Sequence, residues 1–157
     1  MGCRKDSGNT RFWAFSVYGN KNAAFGYYNG YYANLDISDS IDNATPLEFH
    51  SVLQQGTCRI GAKQQGESSF TDYTRSTAYK VTTGYYICVF AVNNAGTIAH
   101  SLSGTRCYGV KIYNSNNYTN LVFDGIPVLY NGEYGLWDLV SNSFFGNVAE
   151  SGAFTGA

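Results

Sequence analysis

The stretch Gly104-Thr105-Arg106-Cys107-Tyr108-Gly109-Val110-Lys111-Ile112-Tyr113, continued by Ile126-Pro127-Val128, Gly135-Leu136-Trp137-Asp138 and Gly152-Ala153-Phe154-Thr155-Gly156, decides the fold. It reads as short apolar strands divided by turns, with no helical period and no catalytic constellation. The same punctuation runs upstream. Both prolines, Pro46 and Pro127, and most of the 18 glycines fall between short apolar runs, as in an all-β protein. Strands are expected at Phe12 to Tyr18, Ala23 to Tyr28, Tyr31 to Leu35, Leu47 to Gln54, Thr57 to Ala62, Ala78 to Val81, Tyr85 to Val92, Tyr108 to Tyr113, Asn120 to Asp124 and Glu133 to Trp137. In Leu47-Glu48-Phe49-His50-Ser51-Val52-Leu53 the two-fold alternation puts the leucines and Phe49 on one face and Glu48 and His50 on the other. Tyr85 to Val92 is apolar on both sides, as a central strand would be. Asn93-Asn94-Ala95-Gly96 after it suits a hairpin turn. Segments Tyr18 to Asn22, Gln64 to Thr77 and Asn114 to Thr119 read as polar loops, with Ala62 to Ser69 the most disorder-like. So many short strands predict two packed antiparallel sheets, a sandwich.

The 157 residues suffice for one domain with a real core, and no linker or repeat divides them. Only 13% are charged, and 10 basic against 11 acidic residues leave a net charge of −1 without a basic patch. That argues against nucleic acid and anionic membrane as partners. The chain has no apolar run long enough for a spanning helix, and Met1-Gly2-Cys3-Arg4-Lys5 lacks the apolar stretch of a signal peptide. Cys3, Cys58, Cys88 and Cys107 show no paired spacing, so reduced thiols are expected rather than a zinc site.

The order of motifs resembles the concanavalin A-like (laminin-G-like) jelly-roll modules of bacteriophage structural proteins and bacterial surface proteins. Leu102-Ser103-Gly104 leads to Val110-Lys111-Ile112-Tyr113, then come Leu121 to Val128 with "IPV", Gly135-Leu136-Trp137-Asp138-Leu139-Val140 with Phe144 and Phe145, and Gly152 to Gly156. Gly2-Cys3-Arg4 with Phe12, Phe25-Gly26-Tyr27 and Ile87-Cys88-Val89-Phe90-Ala91 match the earlier strands. The resemblance implies a single jelly-roll domain over residues 1–157. Two departures stand out. Phe123-Asp124-Gly125 replaces the Arg-Asp-Phe of such modules, which leaves Asp124 in need of a different partner. The chain also starts at the "GxR" element, one strand late, so either a second protomer fills an open edge or the chain is a fragment.

Glucanases share this fold, but no Glu-x-Asp-x-x-Glu pattern supplies the paired carboxyls of a retaining glycosidase. No Gly-x-Ser-x-Gly elbow accompanies His50 or His100 either, and both histidines read as surface or interface residues. Asp36, Asp39 and Asp42 could offer oxygens to Ca²⁺ or simply form an Asx-rich turn; no other metal or cofactor is suggested. Trp13 and Trp137 read as core or semi-buried.

The aromatic content is the clearest sign of binding, since 17% of residues are Phe, Trp or Tyr, 14 of them tyrosines. Tyr27, Tyr28, Asn29, Tyr31, Tyr32 and Asn34 make a candidate hairpin presenting rings and amides to a ligand. The competing reading has these tyrosines tile a sandwich face or a subunit contact. The leading expectation is a non-catalytic recognition or attachment module for surface glycans, on a virion or bacterial cell surface and homo-oligomeric. The alternative is a structural building block, in contact with other virion or surface proteins, whose aromatic faces are buried between protomers. A degraded glucanase ranks below both.

Overall fold

The computed structural model describes residues 2–4, 12–17, 22–27, 32–36, 45–54, 56–76, 88–89, 92–94, 97–99, 106–147 and 155. Among them there is no helix, as the sequence patterning predicts. The chain divides into two compact units, Met1–Leu102 and Ser103–Ala157.

The first unit holds β1 (Gly2–Arg4), β2 (Phe12–Val17), β3 (Asn22–Tyr27), β4 (Tyr32–Asp36), β5 (Leu47–Gln54), β6 (Thr57–Gln64), β7 (Thr71–Ser76), β8 (Val92–Asn94) and β9 (Thr97–Ala99). One sheet runs β4-β3-β2-β1-β8-β9 and the other β5-β6-β7. The three-stranded sheet is antiparallel throughout. In the six-stranded sheet only β1 and β8 pair parallel; they are far apart in sequence, which leaves ample chain for the crossover a parallel pair needs. β3 and β4 lie over β6, and β4 over β7, so the sheets form two layers. Between them Cys58, Ile60 and Ala62, alternate residues of the central strand β6, are buried. As the alternation of β5 predicts, Glu48 and His50 take the opposite, polar face.

The expected loop from Gln64 to Thr77 is corrected in its second half, because Thr71–Ser76 is strand β7. Every residue of β7 is exposed, so no apolar alternation betrays it; Thr71, Tyr73 and Thr74 nonetheless favour extended backbone. The stretch expected to be disorder-like is a tied-down turn. Gln65 N–H donates to the Pro46 carbonyl (2.9 Å), Gln64 N–H to the Glu67 carboxylate (2.6 Å) and the Lys63 ammonium to the Glu67 carbonyl (3.1 Å). β8 and β9 pair antiparallel from Val92↔Ala99 to Asn94↔Thr97, as a hairpin there requires; Asn93 and Asn94 belong to β8, and Ala95 and Gly96 lie outside the described residues. The expected strand at Ala78 to Val81, and all of Tyr85 to Val92 except Cys88, Val89 and Val92, lie outside the described residues.

The second unit is one antiparallel sheet in the order β10 (Val110–Tyr113), β11 (Leu121–Tyr130), β12 (Glu133–Asp138) and β13 (Ser143–Phe145). β11 is longer than expected because it runs on through Pro127. The two-residue turn Asn131-Gly132, with φ 51° and 85°, has the positive pair of a type I′ hairpin and makes Tyr130↔Glu133 a hydrogen-bonded pair. Counting back, Pro127↔Leu136 is a non-hydrogen-bonded pair, so the missing N–H of proline faces away from β12. β10 reaches only to Gly125, and that outward position needs no donor.

Candidate functional site

The face of the second sheet that carries Ile126, Val128, Tyr130, Gly135, Trp137 and Phe144 gathers three aromatic rings. Register sets Trp137 beside Phe144 and opposite Ile126, and Gly135 opposite Val128. The Tyr130 ring centre lies 5.2 Å from those of both Trp137 and Phe144, at 59° and 41°. Gly135 makes this possible, since a Cβ there would come 2.7 Å from Cε2 and Cζ of Phe144. The result is a half-open platform: Tyr130 stays 44% exposed, and Trp137 and Phe144 are partly so. Tilted, touching rings that stay partly exposed suit the apolar face of a flat ligand. The other side of the sheet also shows apolar groups, with Leu129 58% and Phe145 50% exposed and Phe123 edge-on to Phe145 at 5.5 Å.

Two acidic residues hold the platform's sheet together. Asp138 is buried, and its carboxylate accepts N–H bonds from Asp124 (2.8 Å), Val140 (3.1 Å) and Ser141 (3.0 Å) as well as the Ser141 hydroxyl. Burial by itself would raise the carboxyl's pKa, but these four bonds outweigh it and bring it down to about 2. Asp138 is thus the anchor of the β12–β13 turn. Asp124 finds its partner in Lys111 of the Val110-Lys111-Ile112-Tyr113 motif, whose ammonium donates to it at 2.6 Å. That hydrogen bond raises the Lys111 pKa.

The first unit contributes a polar network on the outer face of β5-β6-β7. His50, Gly61 and Asp72 are aligned across the three strands. The His50 imidazole donates through Nε2 to Asp72 Oδ1 at 2.5 Å, the carboxylate being able only to accept. The two side chains meet over Gly61, where a Cβ would run into both. His50 also stacks on Phe70, with ring centres 4.2 Å apart, and the Lys63 ammonium sits 5.0 Å from the same ring while pairing with Glu48 at 3.2 Å. Two pairs, His50 with Asp72 and Lys63 with Glu48, thus brace this face of the sheet.

Of the residues expected to bind ligand, Tyr27 ends β3 and Tyr32 and Asn34 stand in β4, opposite Gly26 and Ala24 in register. The two strands are antiparallel neighbours, as a hairpin around Asn29-Gly30 requires; Tyr28, Asn29 and Tyr31 lie outside the described residues. Asp36 closes β4 opposite Asn22, and Asp39 and Asp42 are likewise outside. Among the described residues no three His, Cys, Asp or Glu side chains converge on a metal position. Cys58, Cys88 and Cys107 are reduced thiols, the first two buried. Sequence reasoning passed over Tyr130 and Phe144 as contact residues; the signal was Tyr130 next to an Asn-Gly turn, with Gly135 five positions on. It also passed over the His50–Asp72 pair, whose members are 22 residues apart and meet only once the strand register is known. No family model matches the chain, and neither a curated protein nor a solved structure matches it.

Proposed function

We propose that the chain is a non-catalytic recognition module of the jelly-roll, concanavalin A-like kind, which attaches a phage particle or a bacterial surface protein to surface glycans. The two-layered all-β first unit and the order of motifs from Leu102 to Gly156 support the type of module. The observation that carries the function is the platform of Tyr130, Trp137 and Phe144. The carbon-bound hydrogens of a pyranose pack on such rings, and beside Tyr130 the exposed Asn131 amide and the second carboxylate oxygen of Glu133, whose Oε1 accepts from Asn147 N–H at 2.9 Å, offer hydrogen-bonding groups. The low net charge fits a neutral sugar better than a polyanion.

A glycan array probed with the full chain and with Tyr130→Ala tests this. Binding by the wild type that falls at least tenfold in the variant is expected. No binding anywhere on the array, or binding unchanged in Tyr130→Ala, would overturn it. The building-block reading has its own observation, the exposed Leu129, Tyr134 and Phe145 on the reverse of the same sheet. A stable oligomer that buries them and binds no glycan would favour that reading.

A further inference from the structure

Strand β7 forms one edge of the three-stranded sheet, and among the described residues no strand lies beyond it. All six of its residues are exposed, Tyr73 to 47%. Which backbone groups point outward follows from the far hairpin. β5 and β6 are joined through two residues, Gln55 and Gly56, which makes Gln54↔Thr57 a hydrogen-bonded pair. Alternation across β6 then turns Thr71, Tyr73 and Arg75 toward β6 and leaves the N–H and C=O of Asp72, Thr74 and Ser76 pointing out. Natural edges are often guarded by proline, a bulge or a charge aimed along the edge. β7 has no proline and no register shift against β6, and the Asp72 carboxylate is drawn back across Gly61 to His50.

From this we infer that β7 is a docking edge for a second copy of the chain, joined antiparallel to its own counterpart in one continuous six-stranded sheet. A two-fold axis perpendicular to the sheet pairs residues of the same face, hence of equal parity. Centred on Thr74, it opposes Thr74 to Thr74 and Asp72 to Ser76, so all the outward backbone groups of β7 are used. The same register sets Tyr73 beside Arg75 of the second copy in the closer, non-hydrogen-bonded positions, a ring against a guanidinium. A centre on Tyr73 would oppose two tyrosines and leave Ser76 beyond the paired strand. Six residues make a small contact, below the roughly 1,200 Å² of ordinary stable interfaces, so the dimer is weak and concentration-dependent. The inference is independent of the glycan reading, and a monomer that binds sugars would end it while leaving that reading intact.

Sedimentation equilibrium of the full chain over a micromolar to near-millimolar series tests it, with far-UV circular dichroism to confirm folding. Thr74→Pro removes an outward N–H without touching the β6 ladder, and should fold and stay monomeric. Thr74→Lys and Thr74→Glu each oppose like charges at the axis and should weaken self-association about fivefold or more, while an equimolar mixture of the two should dimerise at least as well as wild type. A wild type that is monomeric throughout, a folded Thr74→Pro that dimerises unchanged, or a mixture no better than its components would overturn the proposal.

Discussion

A single methyl group at position 61 should break the pair that spans the three-stranded sheet. In Gly61→Ala the new Cβ comes 2.8 Å from His50 Cδ2 and closer still to Nε2 and to Asp72 Oδ1, so imidazole and carboxylate have to part. The side chains of His50 and Asp72 are 18% and 40% exposed, and a partly exposed pair of this kind contributes ~0.2–1 kcal/mol. Crowding in a packed site adds ~1–3 kcal/mol. Exchanging glycine for alanine on compatible extended backbone returns ~0.4–1 kcal/mol by restricting the unfolded chain. The net expectation is a loss of about 1–3 kcal/mol. In a His50→Ala background the obstacle has gone and the Asp72 carboxylate swings to solvent, so the same substitution should be neutral or stabilising by up to ~1 kcal/mol. Urea unfolding of the four proteins of the cycle, followed by circular dichroism at pH 7, reads this change of sign. Equal costs for Gly61→Ala in both backgrounds, within ~0.5 kcal/mol, would refute the reasoning.

Other consequences are open to the same instruments. Asp138 has a folded pKa below its unfolded value, so its contribution is present above about pH 4 and is lost as the pH falls through about 2; Asp138→Asn should flatten the acid limb of the stability profile in that window. Asparagine would also turn an amide N–H against one of the N–H donors now aimed at the carboxylate, so the variant should be less stable at neutral pH as well. Ile60→Ala, at a fully buried position of the central strand, should cost about 2–5 kcal/mol and Ile60→Val about 0.5–1.5, measured as shifts of the urea midpoint. Burial raises the Cys107 thiol above its ordinary range, against a lowering hydrogen bond from Gly109, so iodoacetamide at pH 7.5 should modify it more slowly than a free thiol, and Cys58 and Cys88 only after unfolding, as counted by mass spectrometry.

Strands whose two faces meet different surroundings were legible in the sequence. Leu47 to Gln54 alternates because one face is covered and the other is wet, and its boundaries fall where the pattern places them. β7 was hidden for the opposite reason, since an exposed edge has no apolar face to alternate with. Pro127 stopped the reading of β11 early, because only the neighbouring strand's length reveals that its nitrogen faces no described strand. Asp138 was visible as a motif but not as an anchor; its partners at 124, 140 and 141 are assembled by a turn and a cross-strand contact. The aromatic excess drew attention to rings, yet a count of tyrosines says nothing about which of them share a platform. That depended on Gly135, a residue whose importance lies in what it lacks.

Pro127 also bears on how far copies of this chain could add to one another. Past Gly125, where among the described residues no strand pairs with that side of β11, an incoming strand would meet a pyrrolidine ring where it needs a donor, so extension there is opposed. β7, by contrast, is consumed when it meets its own image. Growth through β7 thus closes at two subunits, because the edge that joins them is used up in the joining.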